Sequence, residues 1–279
     1  MIRSYCKINL SLRVLNKLKN KLHNIQSNSF LLNFHDEITI KRIKQKKDII
    51  VFKGKFGKNI AKKDNSVLES IKILRENNYI KKNCIYKLVI NKHIPVFSGL
   101  GGGTSNAAFL VKHFIKKKIS KPLLNVFSNR IGSDFILFSY NQLFQKNLKT
   151  VIKYKKKFNF YFLIVYPNIK CSTEKIYSQV KKYSYPKKTI ISKIKSKSKF
   201  IDIIKNEKND LQQLSASKFP LIQKIILNLG LLEGCHMSRM TGSGSACYGM
   251  FESKKLAKLG LKAIQKKFPK YWSVVTKTI

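Results

Sequence analysis

The chain is poor in acid. Of 279 residues only 13 are Asp or Glu, against 57 Lys and Arg, giving a formal charge of +44. Arginine is scarce too, with six among those basic residues. That shortage weighs against base reading and bidentate phosphate recognition, both of which favour Arg. The lysines run along nearly the whole chain in company with abundant Ile and Asn, the trio that A/T-rich codons supply. Codon drift is therefore preferred over selection for a polyphosphate chain as the source of the charge. No specific nucleic-acid partner is expected, although such a surface still attracts anionic substrates.

Cysteine is also sparse. Cys6, Cys84, Cys171, Cys235 and Cys247 are scattered, odd in number and without a C-x-x-C pair. A reducing cytoplasm is the expectation, with neither a disulfide framework nor a protein-built metal site. No apolar run approaches the roughly 18 residues of a membrane span; the densest, from Phe160 to Val165, is strand-sized. Lys7, Asn9 and Arg13 interrupt any signal-peptide core. The expectation is a cytoplasmic protein with no membrane association, monomeric or homodimeric, and a small-molecule substrate.

What is present begins with residues 95 to 108, PVFSGLGGGTSNAA. An apolar alternation precedes this stretch (Cys84, Tyr86, Leu88, Ile90) and a helix-like run follows it (Ala107, Ala108, Leu110, Val111, Phe114). Glycines at 99, 101, 102 and 103 let backbone N–H groups close around an anion, and a helix N-terminus adds partial positive charge. Polyphosphate is the natural guest. The loop is no Walker A motif, since Gly103 runs into Thr104 without a lysine. It is no dinucleotide fingerprint either, because Thr104 stands where the third glycine belongs. Tight turns and helix caps also use such clusters, so the loop alone leaves a purely structural role open.

Around it the chain reads as mixed strands and helices. The opening RSYCKINLSLRVL alternates, with Ile8, Leu10, Leu12 and Val14 on one face and Lys7, Asn9, Ser11 and Arg13 on the other. Strand-like runs follow from Phe30 to Ile43 and from Asp48 to Phe52. Asp64, Asn65 or Ser66 is placed to cap a helix bearing Val67, Ile71 and Leu74. A strand over 84–91, a helix over 123–131 and a short apolar strand over 135–138 come next. The lysine-rich stretch 143–158 is the expected junction between domains 1–150 and 151–279. Beyond it we expect a strand over 159–166, a helix over 173–180 and a solvated excursion over 181–199. A helix over 219–229, the turn and strand of MTGSGSACYGMF, a basic helix over 254–268 and a final strand over 272–276 complete the reading. Strands and helices in both halves favour an α+β fold of two domains over one doubly wound sheet.

Between Glu76 and Glu174 the only acid is Asp134, which follows Gly132-Ser133 and precedes an apolar run. A lone carboxylate so placed is a general-base candidate, and equally a helix cap or half of a structural ion pair. Lys7, beside Asn9, is a candidate to neutralise phosphate or orient a carboxylate, though a strand lysine is more often solvated.

Taken in order and spacing, K-I-N-L at 7–10, His23-Asn24, the glycine loop, Gly132-Ser133-Asp134 and G-S-G-S at 242–245 resemble the GHMP kinase superfamily. YCKINLSLRVL, HNIQS, HDEITI, IGSDFILF, YPNIKCSTEKIY, Asn209-Asp210 and MTGSGSACYGMF match its elements from Ser4 to about Phe268. The form GLGGG followed by two hydroxyls and Asn-Ala-Ala most resembles the branch acting on 4-diphosphocytidyl-2-C-methyl-D-erythritol. The resemblance implies an N-terminal domain of the α+β fold shared with a ribosomal protein domain, followed by a ferredoxin-like α/β-plait. It implies a kinase using ATP and Mg²⁺ to phosphorylate the 2-hydroxyl of that substrate, in the non-mevalonate route to isoprenoid precursors. Sister kinases for homoserine or mevalonate, or a basic RNA-binding protein on a related fold, are the alternatives. By residue, it assigns Asp134 as base and Lys7 as its counter-charge and the stabiliser of the transferring phosphoryl. Asn65, Pro95, Gly99, Leu100, Gly101, Gly102, Gly103, Thr104 and Ser105 would hold the nucleotide. Asn9, His23, Thr173 and Tyr177 would hold the acceptor. This chain departs from the pattern at Leu22, where the family has an aromatic, and at Phe97-Ser98, where it has small residues.

Overall fold

The structure, a computed structural model, describes residues 1–58, 60, 65–187 and 189–279. Contacts divide the chain into two compact units: Met1–Cys6, Phe34–Val96 and Gly101–Ser139 form one, and Lys7–Asn33, Phe97–Leu100 and Tyr140–Ile279 the other. The units interleave along the chain rather than dividing near residue 150. Two long strands are the reason. β1 (Ile2–Lys17) and β2 (His23–Ile43) each begin in one unit and end in the other.

In the first unit, the second half of β2 pairs antiparallel with β4 (Ile85–Asn91), from Glu37 opposite Asn91 to Ile43 opposite Ile85. β4 in turn pairs in parallel with β3 (Ile49–Lys53). A parallel pair needs a crossover, and α1 (Ser66–Glu76) lies on that connection. Asn65 starts α1 by accepting from the Val67 and Leu68 N–H groups, both at 3.1 Å, as a cap residue should. Val67, Ile71 and Leu74, at helical spacing, are fully buried. Asp64, the other acidic cap candidate, lies outside the described residues. α2 (Gly102–Ile115) follows the glycine loop and α3 (Lys121–Ile131) follows α2. Both pack on α1.

In the second unit, the first half of β2 pairs with β5 (Gln142–Asn147), and β5 with β6 (Thr150–Lys153). A separate antiparallel sheet contains β7 (Tyr161–Tyr166), β8 (Cys235–Met240), β9 (Cys247–Phe251) and β10 (Trp272–Lys277), in the order β10-β7-β9-β8. Between β7 and β8 run α4 (Thr173–Tyr177), α5 (Lys197–Lys205), α6 (Asp210–Lys218) and α7 (Pro220–Gly230). Between β9 and β10 runs α8 (Lys254–Lys267). Ile222, Ile225 and Leu229 of α7 and Ala257 and Ile264 of α8 bury their apolar stripes against Leu163, Val165 and Phe251. At about 25 cal/mol per Å² of apolar surface, such burial dominates the unit's stability. The fold is α+β, as the mixed reading requires.

Four expectations are corrected. Residues Ser133–Phe138 form a 3-10 helix and no strand. All of Phe135, Ile136, Leu137 and Phe138 are buried, and an apolar run without periodicity does not tell the two apart. Residues 143–158 are no junction, since they include the β5–β6 hairpin and the buried rings of Tyr154 and Phe158. The stretch 181–199 is only partly a solvated excursion. Ile191 and Ile194 are buried, and α5 begins at Lys197. α5 exists because Phe200 enters an aromatic cluster, stacked on Phe158 at 4.3 Å and on Phe30 at 5.7 Å. The helix expected over 173–180 stops at Tyr177. The five cysteines are thiols, and among the described residues no helix is long and apolar enough to cross a membrane.

Candidate active site

Candidate functional residues occur in both units. In the first, α2 begins at Gly102 with Gly101 as a left-handed cap. The Ser105 N–H bonds back to the Gly101 carbonyl at 2.8 Å. Gly102, Gly103 and Thr104 thus carry the first-turn N–H groups that lack an intrahelical acceptor. The neighbouring helix start is close by, with the Ser66 hydroxyl donating to the Gly103 carbonyl at 3.0 Å. Two helix N-termini therefore meet at Asn65-Ser66 and Gly102-Gly103, and their dipoles favour an anion there. Asn65 and Ser66 also border a cleft of about 570 Å³ lined by Lys72, Arg75 and Arg130. Ser105 itself turns inward: its hydroxyl donates to the Tyr5 carbonyl at 2.6 Å and lies 2.7 Å from the Ser4 hydroxyl.

Beneath the start of α2 lies a buried polar cluster that sequence reading did not single out. Asp36 accepts from the Lys92 ammonium, from Asn106 Nδ2 at 2.9 Å, and from the His93 and Ile94 N–H groups at 2.7 and 2.8 Å. Lys92 also donates to Asn106 Oδ1 at 2.9 Å. Burial draws the Lys92 ammonium below its ordinary value while Asp36 opposes that shift. A side chain added at Gly102 would lie 3.3 Å from the Lys92 nitrogen, so this ion pair forms the floor of the loop. The only signal in the sequence is an Asp in the strand motif HDEITI and an Asn in GTSNAA.

Asp134 stands at the head of the 3-10 helix, preceded by Gly132 at φ 142°. That is a backbone setting that L side chains rarely adopt. The turn is fixed from behind, because Phe135 stacks on Phe127 at 4.9 Å and the Lys112 ammonium donates to the Phe138 carbonyl. Asp134 remains partly exposed.

In the second unit, Lys7 is 2 % exposed, so the polar face of β1 is no solvated face. Its ammonium donates to Asn9 Oδ1 at 2.6 Å and its N–H to the Leu100 carbonyl at 3.0 Å. Asn9 Nδ2 donates to the Ser27 hydroxyl at 2.7 Å, and the Asn9 N–H to the Thr241 hydroxyl at 3.0 Å. Lys7, Asn9, Ser27 and Thr241 are thus one connected set. Ser27 and Thr241 lie in the matched elements HNIQS and MTGSGSACYGMF, but neither element marks its hydroxyl as a site residue. Gly99 enters the same set, where φ is +78° and an added Cβ would sit 2.3 Å from the Thr241 carbonyl oxygen. No other residue fits that approach. Pro95 and Leu100 are buried, Leu100 completely.

Thr173 and Ser243 hydroxyls lie 3.0 Å apart, joining the start of α4 to the second glycine turn. His23 packs on Tyr177 with ring centroids 5.1 Å apart and planes tilted by 32°. Desolvation, and secondarily Lys17, lower the His23 pKa, so the ring is held neutral at pH 7. Leu22 beside it is 46 % exposed. The structure therefore brings together Lys7 with Asn9, Gly99 and Leu100, Thr173 with the 242–245 turn, His23 with Tyr177, and Asn65-Ser66 with Gly103.

Residues 193–270 match the family described as GHMP kinases C terminal. A 4-diphosphocytidyl-2-C-methyl-D-erythritol kinase of Pelagibacter ubique (strain HTCC1062) is 39 % identical over 282 residues, covering 100 % of this chain and 98 % of the relative. The chain belongs to the 4-diphosphocytidyl-2-C-methyl-D-erythritol kinase family. A crystal structure of 4-(cytidine 5'-diphospho)-2C-methyl-D-erythritol kinase superposes with a TM-score of 0.71 at 18 % identity, over 99 % of this chain and 98 % of that one. The mevalonate kinase of Methanococcus jannaschii superposes nearly as well, at 0.69, 17 % identity, 100 % and 98 % coverage. Fold alone thus does not select an acceptor within this group of kinases; membership in the erythritol kinase family rests on the full-length identity.

Asn65 caps α1 and is also a candidate nucleotide contact, and its replacement separates the two roles. Asn65→Ala is expected to cost about 1 kcal/mol through the lost cap and to raise KM for ATP at unchanged KM for the acceptor. Urea unfolding and initial rates read the two effects, and equal shifts in both KM values would remove Asn65 from the nucleotide side.

Proposed function

We propose that this chain transfers the γ-phosphoryl group of ATP to the 2-hydroxyl of 4-diphosphocytidyl-2-C-methyl-D-erythritol, giving the 2-phosphate and ADP. The observation that carries this is the lysine-free glycine loop, opening α2 above a buried ion pair, in a chain whose full-length relative bears that kinase's name. N–H groups of Gly102, Gly103 and Thr104 and the Thr104 hydroxyl bind the phosphates. Ser105, turned inward, fixes the loop to β1.

Phosphoryl transfer asks the protein mainly for positioning and charge stabilisation. Asp134 accepts the proton as the 2-oxygen bonds to the γ-phosphorus and the bond to the ADP oxygen breaks. Lys7, its stem buried and its ammonium steered by Asn9, supplies positive charge to the transferring group. Among the described residues no three or more His, Cys, Asp or Glu cluster as a metal cage. Mg²⁺ would come with the nucleotide, near the Thr104 hydroxyl, and would supply charge neutralisation of the phosphates. Thr173, His23 and Tyr177 take the cytidine end. A base sandwiched between two rings needs roughly 7 Å between them at ordinary van der Waals separations. At 5.1 Å the base instead packs on an outer face of the His23–Tyr177 pair. On this reading the partners are small molecules, the compartment is the cytoplasm, and the +44 charge acts only by long-range attraction of anions.

ADP release with Mg²⁺ and 4-diphosphocytidyl-2-C-methyl-D-erythritol, homoserine or mevalonate tests the proposal. Turnover with the cytidylyl acceptor alone is expected. Turnover with another acceptor, or with none, would overturn it.

A further inference from the structure

We propose that Lys170, held against the ring of Phe97, is a polyphosphate-contacting cation of this site. The inference rests on the kinase reading above. It starts from a backbone anomaly. Phe97 opens the glycine loop at φ 56° and is 61 % exposed. That left-handed setting is unfavourable for a bulky side chain, and burial of the ring does not offset it. What the ring does meet is the Lys170 ammonium, 5.8 Å from its centroid, within the range of a cation–π contact.

Lys170 belongs to a strap tied down on both sides. The Ser245 hydroxyl donates to the Ile169 carbonyl at 2.6 Å, and Thr173 meets Ser243 at 3.0 Å. The glycine loop is tied to the same turn, since the Ala246 N–H donates to the Ser98 carbonyl at 3.0 Å. Strap, loop and turn therefore hold Phe97 and Lys170 face to face within one compact unit. The glycine loop brings no lysine of its own. Lys7 is buried with its ammonium on Asn9, whereas Lys170 is exposed with its ammonium over the ring of Phe97, two residues before Gly99. A cation so placed can turn to an anion at little cost, because the neutral ring face competes only weakly with phosphate. The ligand chemistry is the polyphosphate of a nucleotide, from either ATP or the cytidylyl acceptor.

Four variants test it: Lys170→Gln, Lys170→Arg, Phe97→Gly and, as a control for bulk charge, Lys255→Gln on the exposed side of α8. Steady-state KM is measured for both substrates, together with calorimetric Kd for ADP and CDP. Loss of one charge-assisted phosphate contact should raise KM and Kd about fivefold for one of the two nucleotides, with kcat within about twofold. Whichever nucleotide responds identifies the source of the phosphate. Arg at 170 restores the value, Phe97→Gly shifts it in the same direction without lowering Tm, and Lys255→Gln leaves it unchanged. If Lys170→Gln and Lys255→Gln are indistinguishable in all four constants, Lys170 is an ordinary surface lysine and the proposal fails. A wild type that binds ADP and CDP but turns over no acceptor ends the kinase reading instead, and the Kd values still decide on Lys170.

Discussion

Asp134→Asn is expected to lower kcat by about a thousandfold, within the range that a positioned base contributes, while Tm and the far-UV spectrum stay as in the wild type. The substitution keeps size and shape and removes only the capacity to take a proton. The turn that presents residue 134 is fixed by groups the change does not touch, namely Gly132 at φ 142°, the Phe127–Phe135 stack and the Lys112 bond to the Phe138 carbonyl. KM for ATP should move little if, as proposed, the loop and the two helix starts hold the nucleotide. Activity retained within about tenfold would remove Asp134 as base and leave it a structural residue of the 3-10 helix.

Asp36→Asn is expected to have the largest effect on stability, about 3–5 kcal/mol, the usual consequence of breaking a buried ion pair by removing one partner. Asp36 is completely buried and accepts from four donors. An amide offers one acceptor oxygen and turns an NH₂ toward donors that it cannot satisfy. Lys92 would then be left buried without its counter-charge. With native stabilities of roughly 5–15 kcal/mol, the loss is visible in urea unfolding followed by far-UV circular dichroism. Glu76→Gln is the natural control: Glu76 pairs with Arg130 at the surface, where such pairs contribute about 0–1 kcal/mol. Equal effects of the two substitutions would contradict the buried cluster. Because Asn106 and Lys92 also support the first turn of α2, Asp36→Asn should in addition raise KM for ATP under conditions where the variant remains folded.

Much of this was legible in the sequence where a local rule acts alone. The glycine loop followed by a helix, the Asn65 cap with its Val67, Ile71 and Leu74 stripe, and the closing strand–helix–strand all follow from propensity and periodicity. The elements that escaped depend on distant partners. The 3-10 helix at 133–138 is an apolar run whose shape is set by Phe127, and α5 sits in a lysine-rich stretch that reads as solvated until Phe200 finds Phe30 and Phe158. The β5–β6 hairpin is hidden by lysines that flank Leu143, Phe144 and Tyr154 without entering the core. In the candidate site, residues carried by glycine-rich motifs could be proposed in advance. Those that support them could not, since Asp36, Lys92, Ser27 and Thr241 acquire their roles only once strands far apart in sequence bring them together.

The most direct measurement is ³¹P NMR of the products formed by the purified protein from MgATP and 4-diphosphocytidyl-2-C-methyl-D-erythritol. The 2-carbon is tertiary and bears no hydrogen. A phosphate placed there gives a monoester resonance without the three-bond proton coupling that a primary or secondary ester would show. Growth of such an unsplit resonance in step with ADP is the expected result. A monoester split by protons on its ester carbon, or ADP accompanied only by inorganic phosphate, would contradict phosphorylation of the 2-hydroxyl.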